Sequence, residues 1–122
     1  MPQSEVIFYR EDDTVLVREW LKTLPKKAQK KCLAYLTQLE IQGHQLRRPV
    51  ADSLRDGIHE LRPSYQGVHY RILYFFSVKD LVVVSHGITK EDAVPEVEIN
   101  RAIERKKRFE ADRKAHTYKP GR

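Results

Sequence analysis

Arg62 and Arg71 are the residues of this 122-residue chain whose type and spacing point most directly to chemistry. They stand nine positions apart in two segments that each read as a β-strand, Ile58–Arg62 and Val68–Ser77. Side chains alternate between the faces of a strand. Glu60 and Arg62 therefore share one face of the first strand. His69, Arg71, Leu73 and Phe75 share one face of the second, and Tyr70, Ile72, Tyr74 and Phe76 share the other. The second set is the fuller apolar stripe, so it is expected to meet helices, with Arg71 on the more open side. If the strands pair, two guanidiniums lie side by side. They repel unless an anion sits between them, and a phosphate accepts bidentate bonds from each. The ordinary alternative is a carboxylate partner, such as Glu60 for Arg71.

The next strand reads as Leu81–Ile88, with Val82, Val84, His86 and Ile88 on one face. His86 precedes Gly87 at its end. An imidazole there can exchange a proton near neutral pH, or serve only as a hydrogen-bonded structural histidine. Lys90 follows in a loop, placed to reach a phosphate or to be solvated. His44, His59, His69 and His116 are scattered. No His/Cys/Asp/Glu set has metal-ligand spacing, and neither a glycine-rich phosphate loop nor a G-x-S-x-G elbow occurs. No metal or cofactor is therefore expected. The run Arg105-Lys106-Lys107-Arg108 would wrap around a helix, either solvated or touching nucleic acid.

These strands need elements to hold them. Ser4–Arg10, with Val6, Ile7, Phe8 and Tyr9, reads as a short covered strand, and Glu11 to Thr14 supply helix-start chemistry. Val17, Trp20, Leu21 and Leu24 fall on one helical face. Pro25 separates that helix from a longer one, Lys26–Gln42, with the stripe Ala28, Cys32, Tyr35, Leu36 and Leu39 and a glycine cap at Gly43. The segment 44–57 reads as a polar loop. Three strands in succession with short turns argue an antiparallel meander. Pro95 opens a last helix, Glu96 to about Lys114, with the pairs Glu104–Arg108 and Glu110–Lys114 in the favourable order. The basic tail, 116–122, is expected to fray. The fold class is thus α+β in a single domain, 1–122: strand, α-helical hairpin, three-stranded antiparallel meander, C-terminal helix.

Twenty-three basic against 17 acidic residues leave a net charge of +6, which reads either as attraction to RNA, DNA or an acidic partner protein or as an ordinary solvated surface. Cys32 is the only cysteine, so no internal disulfide forms and a reducing compartment fits. No apolar run approaches the ~20 residues of a membrane helix, and the N-terminus lacks a signal-peptide pattern. A cytoplasmic protein is expected.

The set Leu54–Arg62, then Tyr70-Arg71-Ile72-Leu73-Tyr74-Phe75, then Val84-Ser85-His86-Gly87-Ile88-Thr89-Lys90 resembles the phage-derived Gp49-like toxins. These belong with the HigB-type toxins in the RelE/ParE superfamily of type II toxin–antitoxin systems. The element order matches too, so the resemblance spans about Val6 to Arg108. It implies a RelE-like toxin in a hetero-oligomer with a cognate antitoxin, often a helix-turn-helix protein. Many relatives cleave mRNA on the ribosome: the 2′-OH attacks the adjacent phosphate and leaves a cyclic phosphate, with cations stabilising the transition state. The resemblance implies that Arg62 and Arg71 bind and polarise the phosphate, that Lys90 neutralises charge and that His86 transfers a proton. Arg55, His69, Lys79, Lys106 and Lys107 would be further RNA contacts. Relatives often carry K-K-x-x-K-T-P after the His-Gly pair, where this chain has Lys90-Glu91-Asp92-Ala93-Val94-Pro95. The acids weaken the local positive field. A ParE-like gyrase inhibitor and an inert antitoxin-binding module are the competing expectations.

Overall fold

Val6, Ile7, Phe8 and Tyr9 are all buried, because the strand they form is covered on both faces. That strand, β1 (Glu5–Tyr9), opens an α+β architecture seen in the computed structural model, which describes residues 4–78, 80–90 without the Lys90 side chain, and 93–121. The expected Lys79 site and the Glu91-Asp92 step lie outside the described residues. After β1 come α1 (Leu16–Lys22), α2 (Lys26–Gln42), β2 (Ala51–Arg55), β3 (Ile58–Leu61), β4 (Ser64–Tyr65), β5 (Val68–Phe76), β6 (Leu81–Lys90), α3 (Glu96–Ala111) and β7 (Thr117–Tyr118). The strands make one mixed sheet in the order β2-β3-β5-β6-β1-β7, with β4 on β5. β1 runs parallel to β6, Glu5–Phe8 beside Leu81–Val84, and the other pairings are antiparallel.

The helical hairpin covers one face. Val17 and Leu21 of α1 and Ala28, Cys32, Leu36 and Leu39 of α2 pack on Tyr70, Ile72, Tyr74, Val82 and Val84. Burial pushes the Cys32 thiol up to about 11, leaving it an inert core residue. α3 covers part of the other face, with Ile99, Ala102 and Phe109 on Ile7, Leu73, Phe75 and Val83. The alternation read along the second strand holds: the Tyr70 stripe meets the hairpin, and Leu73 and Phe75 turn away from it. α2 ends as expected at Gly43, whose φ of 52° suits glycine and whose N–H bonds Leu39 O.

Four expectations are corrected. The segment 44–57 is not all loop: Ala51–Arg55 forms β2, hairpinned to β3 through Asp56-Gly57, both at positive φ. β2 is an edge strand and carries polar residues, so it lacks the apolar alternation that marks a covered strand. The tail is not frayed throughout. Thr117 and Tyr118 pair with β1, Tyr118 stacks on Phe8 at 6.1 Å, and His116 stacks on Tyr9 at 4.9 Å. Glu11–Thr14 does not cap α1. Glu11 and Thr14 bridge each other across a turn with Asp12 at φ 53°, and Val15 holds the N-cap without a side-chain bond. Finally, β6 does not alternate evenly. Its pairing with β5 shifts between Leu73 and Tyr74, which face His86 and Val84, so Ser85 is an extra residue. Such a bulge reverses every side chain beyond it. Val82 and Val84 face the hairpin, whereas His86 and Ile88 share the α3 face with Arg71.

Candidate functional site

Glu60 occupies the centre of the first polar cluster because β3 alternation turns it to the α3 face, opposite Leu73. Arg62 follows one step beyond β3, anchored by its N–H to Val50 O at 2.8 Å. Its Nη1 donates to Glu60 Oε2 at 2.7 Å. Arg71 reaches the same carboxylate from β5, with Nε 3.3 Å from Oε1, and its Nη1 donates to Tyr70 O at 2.9 Å. The two arginines are thus brought together, as the strand reading anticipated, and the carboxylate alternative is realised at the same time. The open face expected for Arg71 is corrected: its side chain is 7% exposed and that of Glu60 5%, whereas Arg62 keeps 28%. Burial, and then the charge of Arg62, hold Arg71 below the usual guanidinium range against the pull of Glu60. Arg71 Nε makes the ion contact but no aligned hydrogen bond, so this buried group retains donor capacity. Arg62 is the member that solvent reaches.

The second cluster stands in the same row across the sheet. Glu60 faces Leu73, and Leu73 faces His86. At about 4.8 Å per strand, the two clusters lie about 10 Å apart. His86 is buried, and its two ring nitrogens are both engaged. Nδ1 accepts from Arg105 Nη1 at 2.9 Å and Ser85 Oγ at 2.8 Å. Nε2 lies 2.9 Å from Glu98 Oε1. A guanidinium carries no acceptor, so Nδ1 is unprotonated and Nε2–H donates to Glu98. Burial and then the Arg105 charge hold His86 below the ordinary histidine range, outweighing Glu98. The imidazole is therefore neutral near pH 7. Burial works against ionisation of Glu98, but bonds from His86 and Arg101 outweigh it and keep that carboxyl below its usual range.

Beside His86 opens a cavity of about 340 Å³, lined by Trp20, Gly87, Glu98, Arg101 and Arg105 among others. Gly87 explains why the histidine is followed by glycine. A Cβ there would lie 2.2 Å from Trp20 Cε3, so only glycine lets the indole lie against β6. Glu98, Arg101 and Arg105 were not among the sequence candidates. Their spacing of three and four residues puts them on one helix face, which periodicity alone shows, but nothing in the sequence says which face meets His86.

The remaining candidates are dispersed. Arg55 Nη1 pairs with Asp56 at 2.7 Å, Nη2 with Glu96 at 2.9 Å, and a further bond reaches Asn100, tying the β2–β3 turn to the start of α3. Lys106 lies over the same turn, since a Cβ on Gly57 would be 2.6 Å from its Nζ. Lys107 is exposed on α3. His69 is half-buried and faces Ser64 and the Lys90 backbone across β4 and β6. Lys90 thus belongs to a strand and not to the loop expected for it.

Among the described residues no group of His, Cys, Asp and Glu is arranged to hold a metal, and no helix is long and apolar enough to cross a membrane. No curated protein matches the chain. The sequence pattern of the family described as phage-derived protein Gp49-like (DUF891) matches residues 19–107, which includes both clusters, all of α2 and the larger part of α1 and α3. That family is associated with the toxins of toxin–antitoxin systems, whose partner class is an antitoxin. With an α+β architecture consistent with a RelE-like fold, and a match over most of its length, the chain belongs to the Gp49-like family of phage-derived proteins.

Proposed function

We propose that this protein is the toxin of a type II toxin–antitoxin pair and acts as a ribosome-dependent mRNA endoribonuclease in the cytoplasm. The observation that carries the reading is a neutral, hydrogen-bonded His86 at a cavity bordered by Arg101 and Arg105, in one row with the Arg62–Glu60–Arg71 cluster. Cleavage forms a bond from the 2′-oxygen to the adjacent phosphorus and breaks the bond to the 5′-oxygen. The products are a 2′,3′-cyclic phosphate and a 5′-OH. A proton leaves the 2′-OH and one reaches the departing oxygen. Arg62, the accessible guanidinium, binds the phosphate and offsets the charge gained in the transition state. Arg71 acts through Glu60 as a positioning residue for Arg62. His86 is the proton-transfer group and Lys90 adds positive charge. Arg55, His69, Lys79, Lys106 and Lys107 belong to the wider RNA-contacting surface of this reading. The cognate antitoxin is a helix-turn-helix protein that presents an acidic or apolar element to the same face.

One observation favours an inert antitoxin-binding module: a single carboxylate, Glu60, already pairs with both arginines and cuts their combined charge from +2 to +1. Expression without antitoxin, followed by mapping of RNA 5′ ends, separates the readings. The nuclease predicts growth arrest and new ends in translated messages, both lost in Arg62→Ala and His86→Ala with circular dichroism unchanged. If both variants arrest growth fully, the site is wrong. Arrest with intact transcripts and damaged DNA indicates a gyrase inhibitor, and no arrest indicates the inert module.

A further inference from the structure

A second cavity, of about 450 Å³, opens on the opposite face of the sheet, where the chain leaves α2 and passes β2, β3 and β5. Its size lies within the ~300–1,000 Å³ typical of small-ligand sites. Its walls are aromatic planes. His44 stacks on Phe76 with centroids 3.7 Å apart and 17° between planes, and His59 stacks on Tyr74 at 5.3 Å and 19°. His59 also meets Phe76 edge-on at 80°. Its rim is cationic. Arg47 donates to the His44 and Leu46 carbonyls and, among the described residues, pairs with no carboxylate. Asp52 also lines the cavity, but Arg48 holds it at 2.8 Å, so its charge is already countered. Burial first, then electrostatic interaction with His44, Lys106 and Arg47 against the opposing pull of Asp52, holds His59 below its usual range, so it is an uncharged stacking plane near neutral pH.

Flat rings and an open guanidinium lining one cavity call for a ligand with a planar face and an anionic end. We propose that this cavity is a nucleotide subsite, with the base against the His44–Phe76 stack and its phosphate on Arg47. Base–aromatic stacking tolerates any base, because every base has a π-face, and a guanidinium suits the phosphate. The subsite is independent of the nuclease reading, because none of its residues belongs to the clusters on the α3 face.

Proton NMR of the His44 and His59 C2–H signals tests it, with AMP, ribose 5-phosphate and tetrauridylate as probes. AMP is expected to shift both signals, and ribose 5-phosphate to bind at least about tenfold more weakly, since it lacks the base. Arg47→Ala, at an exposed position, is expected to weaken AMP about tenfold. Phe76→Leu is expected to erase the preference for AMP over ribose 5-phosphate. Tetrauridylate binding more tightly than AMP supports the subsite and assigns it to an RNA strand; equal or weaker binding with AMP intact supports it as a site for free nucleotides. Histidine signals that do not move at about 1 mM AMP, or equal affinity for AMP and ribose 5-phosphate in the unaltered protein, overturn the proposal.

Discussion

Glu60 shows how one carboxylate decides the behaviour of two arginines. Its side chain and that of Arg71 are both buried, so removing Glu60 leaves the Arg71 charge without its counter-ion in a poorly solvated place. Glu60→Ala is expected to destabilise the fold by about 3 kcal/mol, measured by denaturant unfolding. Arg62→Ala, at the partly exposed end of the same cluster, is expected to cost about 1 kcal/mol. A comparable loss for the two variants would show that the Arg71–Glu60 contact is not the stabilising one. The histidines set a pH dependence. His86 and His59 are both held below their ordinary range in the folded chain. As pH falls through about 6.5, the unfolded chain takes up protons that the folded chain refuses, so stability falls toward acid. Stability is expected to be greater at pH 7 than at pH 5.5, above the region where carboxylates titrate. His86→Gln should flatten that slope, and an unchanged slope would exclude His86 as its source. At this scale, the sequence showed which residues carry charge and which strand face they share. It did not show that Arg71 lies under Glu60, since burial depends on α3 and on neighbouring strands distant in the chain.

The elements differ in how legible they were. β1, β5, β6 and the helical hairpin announce themselves by alternation or helical periodicity, because each has an apolar surface to bury. β2 has little such surface and was read as loop, although Asp56-Gly57 is a hairpin signal. The bulge at Ser85 leaves no trace in composition, yet it moves His86 from the helical-hairpin face to the candidate site. β6 is also where a single methyl group is expected to matter most. Gly87→Ala puts a Cβ into the Trp20 ring and is expected to cost about 2–3 kcal/mol. Trp20 is the only tryptophan, so its fluorescence reports the change directly. A Gly87→Ala variant of unaltered emission and stability would show that the indole has room to withdraw.

At the scale of the whole molecule, the sheet is closed by its last strand. β7 covers the outer side of β1, Tyr118 lies on Phe8, and Arg18 sits 5.5 Å above the Tyr118 ring. Deleting residues 116–122 is expected to expose the β1 edge, lower stability by about 1–2 kcal/mol and promote self-association, measured by thermal unfolding and gel filtration. A monomer of full stability would show that the tail only decorates the fold. The sequence marked this tail as basic and terminal, which disguised two aromatic contacts, Tyr118 with Phe8 and His116 with Tyr9, that hold it down.

The parallel register of β1 with β6 also imposes an order of events. β1 is made first, but its partners on either side, Leu81–Val84 and Thr117–Tyr118, are made late. At 5–20 residues per second, the first strand waits on the order of 10 s for its last neighbour during synthesis. His86 gains Glu98 and Arg105 only after α3 has been made. A nascent chain therefore carries the arginines of the α3 face well before it carries a finished site, and the interval ends only when the C-terminal residues are free to fold back onto the beginning.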